Sequence, residues 1–227
     1  MSKHGTGPRW ILGAILGAVA AMAWAGLAAG QEEATVAQRP AAKPNAVSFQ
    51  MRPVTADLSN SDAQRINADA DQDNWRLHGR TYDNQRFSPL TEINAANVKQ
   101  LKPVALIQTG VANSMEATPI QINGVLFVET AGNVVQAYDA VTGEELWSYT
   151  PVLEFSSLCC GPQARGVAVA YGKVYVAQVD GNVVALNAKT GEIQRRMGIG
   201  SPALLAPIAA GNTIYVLTDT AQLIALR

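Results

Sequence analysis

The sequence has little of what most hydrolytic and metal chemistry requires. Among 227 residues there are two histidines, His4 and His78, and two cysteines, Cys159 and Cys160. That leaves no HExxH zinc helix, no CxxCH haem attachment and no spare candidates for a Ser-His-Asp triad. Charge is scarce as well. Seventeen basic and 18 acidic residues give a net charge of −1, and charged residues make up 15% of the chain, against roughly 25% in soluble domains. A near-neutral chain lacks the basic stripe of a nucleic-acid binder, so no nucleic-acid partner is expected. Aromatic residues are only 6%, yet 48% apolar content can bury a core and excludes disorder along the whole length.

What is present falls into three stretches. Lys3, His4 and Arg9 precede an apolar run from Trp10 to Gly30 that closes on Ala28-Ala29-Gly30. This is the layout of a secretory signal, and the run is also long enough to span a bilayer. Residues 1–30 therefore read as a signal peptide or a membrane anchor. The Ala/Gly-rich rather than Leu-rich character of residues 10–30 favours cleavage before Gln31. Export implies an oxidising compartment for the two cysteines. Residues 31–72 carry Arg39-Pro40, Lys43-Pro44 and Arg52-Pro53 with no sustained period, and read as a flexible tether. Within it, Ser59 to Ala70 could form a short helix capped by Asn60 or Ser61.

Residues 73–227 form the folded part, and from Leu101 onward they repeat. Gly124-Val-Leu-Phe-Val128, Gly172-Lys-Val-Tyr-Val176 and Asn212-Thr-Ile-Tyr-Val216 are alike, and an alanine follows each aromatic ten residues later, at Ala137, Ala185 and Ala225. The first two units continue identically as Thr142-Gly143-Glu144 and Thr190-Gly191-Glu192. The aromatic positions 127, 175 and 215 lie 48 and 40 residues apart, and such periods mean stacked supersecondary units. Val125–Glu129, Val134–Asp139 and Leu146–Thr150 alternate like strands, with Thr142-Gly143-Glu144 as a turn. Short antiparallel strands, four to a unit, describe β-propeller blades. The fold class is all-β, with about three blades and an incomplete ring.

The residues resemble a known family. Asp73-Asn-Trp75, His78-Gly79-Arg80, Asn84-Gln-Arg86-Phe-Ser88-Pro-Leu90, Ile93-Asn94 and Asn97-Val98 are similar to the opening segment of the quinoprotein alcohol dehydrogenases. These are periplasmic propellers that carry pyrroloquinoline quinone (PQQ). Met115-Glu116-Ala117-Thr118-Pro119 resembles the family's first inner-strand motif, and Cys159-Cys160 with Arg165-Gly166 resembles its quinone-covering vicinal cysteine motif. The resemblance implies a periplasmic oxidoreductase turning an alcohol into an aldehyde, with PQQ and a Ca²⁺ or lanthanide ion as cofactors and a cytochrome c as electron acceptor. It implies cofactor-binding roles for Glu116, Cys159, Cys160 and Arg165. A Cys159–Cys160 disulfide would stack on the flat quinone, Arg165 would offer a planar donor fork to its oxygens, and Glu116 would share hydrogen bonds at the same edge. From the residues alone, free thiols or an intermolecular disulfide remain the alternatives for the cysteines, and an ordinary ion pair the alternative for Glu116 and Arg165.

The chain also departs from the family. No catalytic aspartate, cation ligands or quinone-flooring tryptophan can be matched, so no catalytic or metal residue is assigned. The outer-strand tryptophan survives only at Trp147, its equivalents being Ala105 and Arg195. Val104–Thr109 resembles an outer fourth strand that could complete the third unit and close a ring. Propellers close with four to eight blades, so the expectation is a shortened family member that self-associates through open blade edges. A non-catalytic extracytoplasmic propeller scaffold and an inactive truncated product are the other readings.

Overall fold

A computed structural model describes residues 53–153 and 162–227 of the chain. The repeats form three antiparallel sheets in chain order. The first contains β1 (Ile120–Ile122), β2 (Val125–Thr130), β3 (Val134–Asp139) and β4 (Glu145–Tyr149); the second contains β5 (Ala168–Ala170), β6 (Lys173–Ala177), β7 (Asn182–Asn187) and β8 (Ile193–Gly198). The third has β9 (Ile208–Ala210), β10 (Thr213–Leu217) and β11 (Leu223–Leu226), with three strands among the described residues.

Local chemistry explains why each unit folds alike. The turns from β1 to β2, β5 to β6 and β9 to β10 place Asn123-Gly124, Tyr171-Gly172 and Gly211-Asn212 at positive φ on both residues. That is type I′ geometry, whose twist matches the paired strands. After β3 and β7 an Asp or Asn folds back on the chain. Asp139 Oδ1 accepts from Val141 N at 2.9 Å and Thr142 N at 2.8 Å, and Asn187 Oδ1 from Lys189 N at 2.8 Å and Thr190 N at 3.2 Å. The Thr-Gly-Glu repeat is the continuation of this Asx turn.

The same motif docks neighbouring sheets. The Trp147 ring lies on Gly191, where an added Cβ would stand 2.6 Å from Cε3, and its Nε1 donates to Ala188 O at 3.0 Å. Ala105 stands against Gly143 in the same relation, 2.8 Å from that residue's notional Cβ, as the sequence equivalence of Ala105 and Trp147 requires. The expectation that Val104–Thr109 closes a ring on the third unit is not met. This stretch forms no strand, Val104 and Leu106 are exposed, and it runs beside the first sheet, where Gln136 Nε2 donates to Thr109 O at 3.2 Å. Ala105 offers too little side chain to bury a strand there.

The end of the expected tether is packed rather than loose. The helix α1 (Asp62–Ile66) starts at Ser61 with a capping box to Gln64, and Leu58, Asn60, Arg65 and Ala68 are buried. This segment straps the three sheets at their tight turns. Asn123 N donates to Asn74 Oδ1 at 2.6 Å, Gly172 N to Ser59 O at 3.1 Å, and Gly211 N and Asn212 N to the Asp62 carboxylate at 3.1 and 2.9 Å. The Arg65 guanidinium satisfies itself on Asp62, Asn60 O, Tyr82 Oη and Tyr171 Oη. Two cores result. Leu58, Phe127, Trp147 and Tyr149 fill the first, with β-branched residues of the second sheet. The second, towards the third sheet, is mainly alanine: Ala168, Ala170, Ala177, Ala203 and Ala209.

Candidate functional site

Glu116 lies four residues before β1 and Arg165 three residues before β5, so each precedes the innermost strand of its sheet. Stacking of the first two sheets brings the side chains together. Arg165 Nη2 stands 3.2 Å from Glu116 Oε2, with side-chain exposures of 52% and 40%. Gly166 makes the approach possible. Its φ is +114°, and a Cβ there would come within 3.3 Å of Thr118 O, close beside Glu116.

The pair stands at a cleft of about 460 Å³, inside the usual range for small-molecule pockets. Thr118, Val167 and Val169 line it from the first two sheets, Ile208 from the third, and Tyr82 and Arg86 from the opening segment. His78 and Arg86 meet there at 2.7 Å between Nε2 and Nη2. A guanidinium can only donate, so Nε2 accepts and the imidazole is neutral. Burial, with Arg86 adding to it, holds the His78 pKa below the ordinary histidine value. Its Nδ1 is buried without a partner among the described residues.

One site residue escaped the sequence reading. Glu129, at the end of β2, is 2% exposed. Its Oε1 accepts from Asn133 Nδ2 at 2.8 Å and its Oε2 from Gly166 N at 3.0 Å. Burial pushes its pKa up to about 8, against the lowering pull of both hydrogen bonds. The available signal was a carboxylate directly following the apolar Val125–Val128 run, where alternation alone would permit exposure. The structure thus joins Glu116 and Arg165; Cys159 and Cys160 lie outside the described residues, as does the apolar run 10–30. Among the described residues no three His, Cys, Asp or Glu side chains converge on a metal position, and no helix is long and apolar enough to cross a membrane.

Comparison with known proteins bears on this geometry. The profile described as "PQQ: Glucose/ethanol/alcohol dehydrogenase, beta-propeller domain" matches residues 75–201. The dehydrogenase subunit of the quinone alcohol dehydrogenase of Gluconacetobacter polyoxogenes is 41% identical over 131 residues, covering 56% of this chain and 18% of that protein. The quinohemoprotein alcohol dehydrogenase of Comamonas testosteroni is 35% identical over 196 residues, covering 84% of this chain and 25% of that protein. Among solved structures, the quinohemoprotein alcohol dehydrogenase ADHIIG of Pseudomonas putida superposes with a TM-score of 0.66 at 35% identity, covering 71% of this chain and 25% of that one. A europium-containing methanol dehydrogenase gives 0.64 at 28% identity, over 68% and 29%. The chain thus spans a quarter or less of the length of these curated relatives.

Proposed function

Because this chain belongs to the family of PQQ-dependent glucose/ethanol/alcohol dehydrogenase β-propellers, we propose that it holds one edge of a PQQ molecule, as the alcohol-oxidising quinoproteins of that family do. The observation that carries this reading is the meeting of Arg165 and Glu116 at the cleft, 3.2 Å apart and both part-exposed. PQQ is a flat polyanion, and a guanidinium fork suits its carboxylates while a neighbouring carboxylate orients that fork. When bound, the quinone takes up the two electrons an alcohol releases in becoming an aldehyde. Arg165 binds and orients, Glu116 fixes the guanidinium, and the apolar wall of Val167, Val169 and Ile208 excludes water from the ring. Cys159 and Cys160, as a vicinal disulfide, cover the ring face.

The cation is a different matter. No ligand cluster exists among the described residues. No residue of this chain is matched to the proton-abstracting aspartate either. The reading is therefore a quinone-holding module. In a complete assembly the partners would be a small alcohol and a cytochrome c-type acceptor. The protein would be exported, starting near Gln31, and would work in the periplasm.

The test is a fluorescence titration of the purified chain with PQQ, followed by an alcohol-oxidation assay with Ca²⁺ and an artificial acceptor. Saturable binding that Arg165→Ala weakens about tenfold or more is expected, since a charge-assisted hydrogen bond contributes about 1.5–3 kcal/mol. Absence of binding by the unaltered chain overturns the reading and leaves the scaffold alternative.

A further inference from the structure

The residues on both sides of Arg165 are fastened to one short stretch of the first sheet. Gly132 N donates to Pro162 O at 2.7 Å, and Gly166 N donates to Glu129 Oε2 at 3.0 Å. The other Glu129 oxygen takes the Asn133 amide at 2.8 Å, and Asn133 Oδ1 in turn accepts from Val179 N, in the β6–β7 connection, at 3.0 Å. One buried carboxyl thus joins three places: the first sheet, the segment that bears Arg165, and the second sheet. Two backbone clamps four residues apart leave Arg165 little freedom except in its own side chain.

The identity of the side chain matters. Two N–H donors from separate elements converge on it, one at each oxygen. A carboxyl group keeps a lone pair for a donor at each oxygen, whether ionised or protonated; an amide would turn its own NH₂ towards one of the donors. Glu129 also has no ion-pair partner among the described residues, so it is a buried carboxyl with no charge to neutralise it. An apolar residue would be the cheaper way to fill that space. Packing therefore does not account for it, whereas the double acceptor does.

We propose that Glu129 is a positioning residue for Arg165: by gripping Gly166 and Asn133 together it sets where the guanidinium stands at the cleft. The proposal rests on the reading of Arg165 as a cofactor contact, but its geometry can be tested without cofactor. In the purified chain labelled with ¹⁵N-glycine and ¹⁵N-arginine, the Gly166 amide and the Arg165 Nε–Hε signal report the two ends of the link. Glu129→Ala is expected to move both, with the Arg165 signal passing to a solvent-averaged position, while the Gly143 and Gly191 amides stay in place. Glu129→Gln, which keeps one acceptor, should restore part of both shifts. If PQQ binds, its affinity should fall about tenfold in Glu129→Ala and less in Glu129→Gln, the loss of roughly one hydrogen bond's worth of preorganisation.

An Arg165 signal that stays unmoved when Gly166 moves overturns the proposal. So does a loss of every glycine signal in both variants, which would make Glu129 a fold determinant only. Failure of the unaltered chain to bind PQQ would remove the cofactor reading, and the resonance shifts would still decide whether Glu129 places Arg165.

Discussion

At Glu129, burial and hydrogen bonding act in opposite directions, and burial prevails, lifting the carboxyl from 4.5 to about 8. The folded chain then holds a proton that the unfolded chain has already released across that interval. Stability from this residue is complete below about pH 4.5 and is lost as pH rises to about 8, at up to about 1.4 kcal/mol per pH unit. Denaturant unfolding of the chain and of Glu129→Gln should therefore diverge with pH. The unaltered protein loses stability relative to the variant between about pH 5 and pH 8, and the difference levels off above that. The cysteines carry a second prediction at this scale. If Cys159 and Cys160 are bridged, maleimide labels no thiol in denaturant before reduction and two afterwards. Two reactive thiols before reduction, or a dimer that reductant dissolves, would show them unbridged.

Among the elements, the docking of Trp147 on Gly191 can be isolated by comparing two glycines. Gly143 and Gly191 have nearly the same φ, +73° and +74°, so alanine at either meets the same backbone strain. At Gly191 the new methyl also collides with a fully buried indole, while at Gly143 it meets Ala105, which is exposed. Gly191→Ala should cost about 2–3 kcal/mol, and Gly143→Ala about 1 kcal/mol less, since the exposed Ala105 segment can give way where the buried indole cannot. Thermal melts of the two variants measure the difference. These turns were readable from the sequence because their signals are local: Asn-Gly at Gly124, Thr-Gly-Glu at Gly143 and Gly191, and β-branched alternation between them. The Ser61 cap was readable for the same reason, and so were Glu116 and Arg165 as candidates, through motifs. Three things were not. That Asp57–Asn74 packs on the sheets depends on partners far along the chain. That Val104–Thr109 forms no strand depends on how little Ala105 can bury against the remote Gly143 turn. Glu129 gave no periodic signal, because its partners are a backbone N–H 37 residues on and a side-chain amide four residues on, neither of which follows the strand period.

For the molecule as a whole, β11 is hydrogen-bonded on one side only, to β10, among the described residues. Leu223 is 69% exposed, Ile208 56% and Leu204 38%. An apolar strand with an unpaired flank is a template for another chain. Light scattering on the purified chain should give a mass above the monomer that rises with concentration, and Leu223→Lys should lower it. The alanine-filled seam beside the third sheet points the same way, because small side chains bury less area there than the Trp147 seam does. The strap has a consequence in time. Its partners lie 49 residues downstream for Asn74, 109 for Asn60 and 150 for Asp62. At roughly 5–20 residues per second of synthesis, the third partner is made on the order of ten seconds or more after Asp62. A five-residue helix cannot persist alone for that interval. The part of the fold made first on the ribosome is therefore the last to settle, and it does so only when all three tight turns exist to receive it.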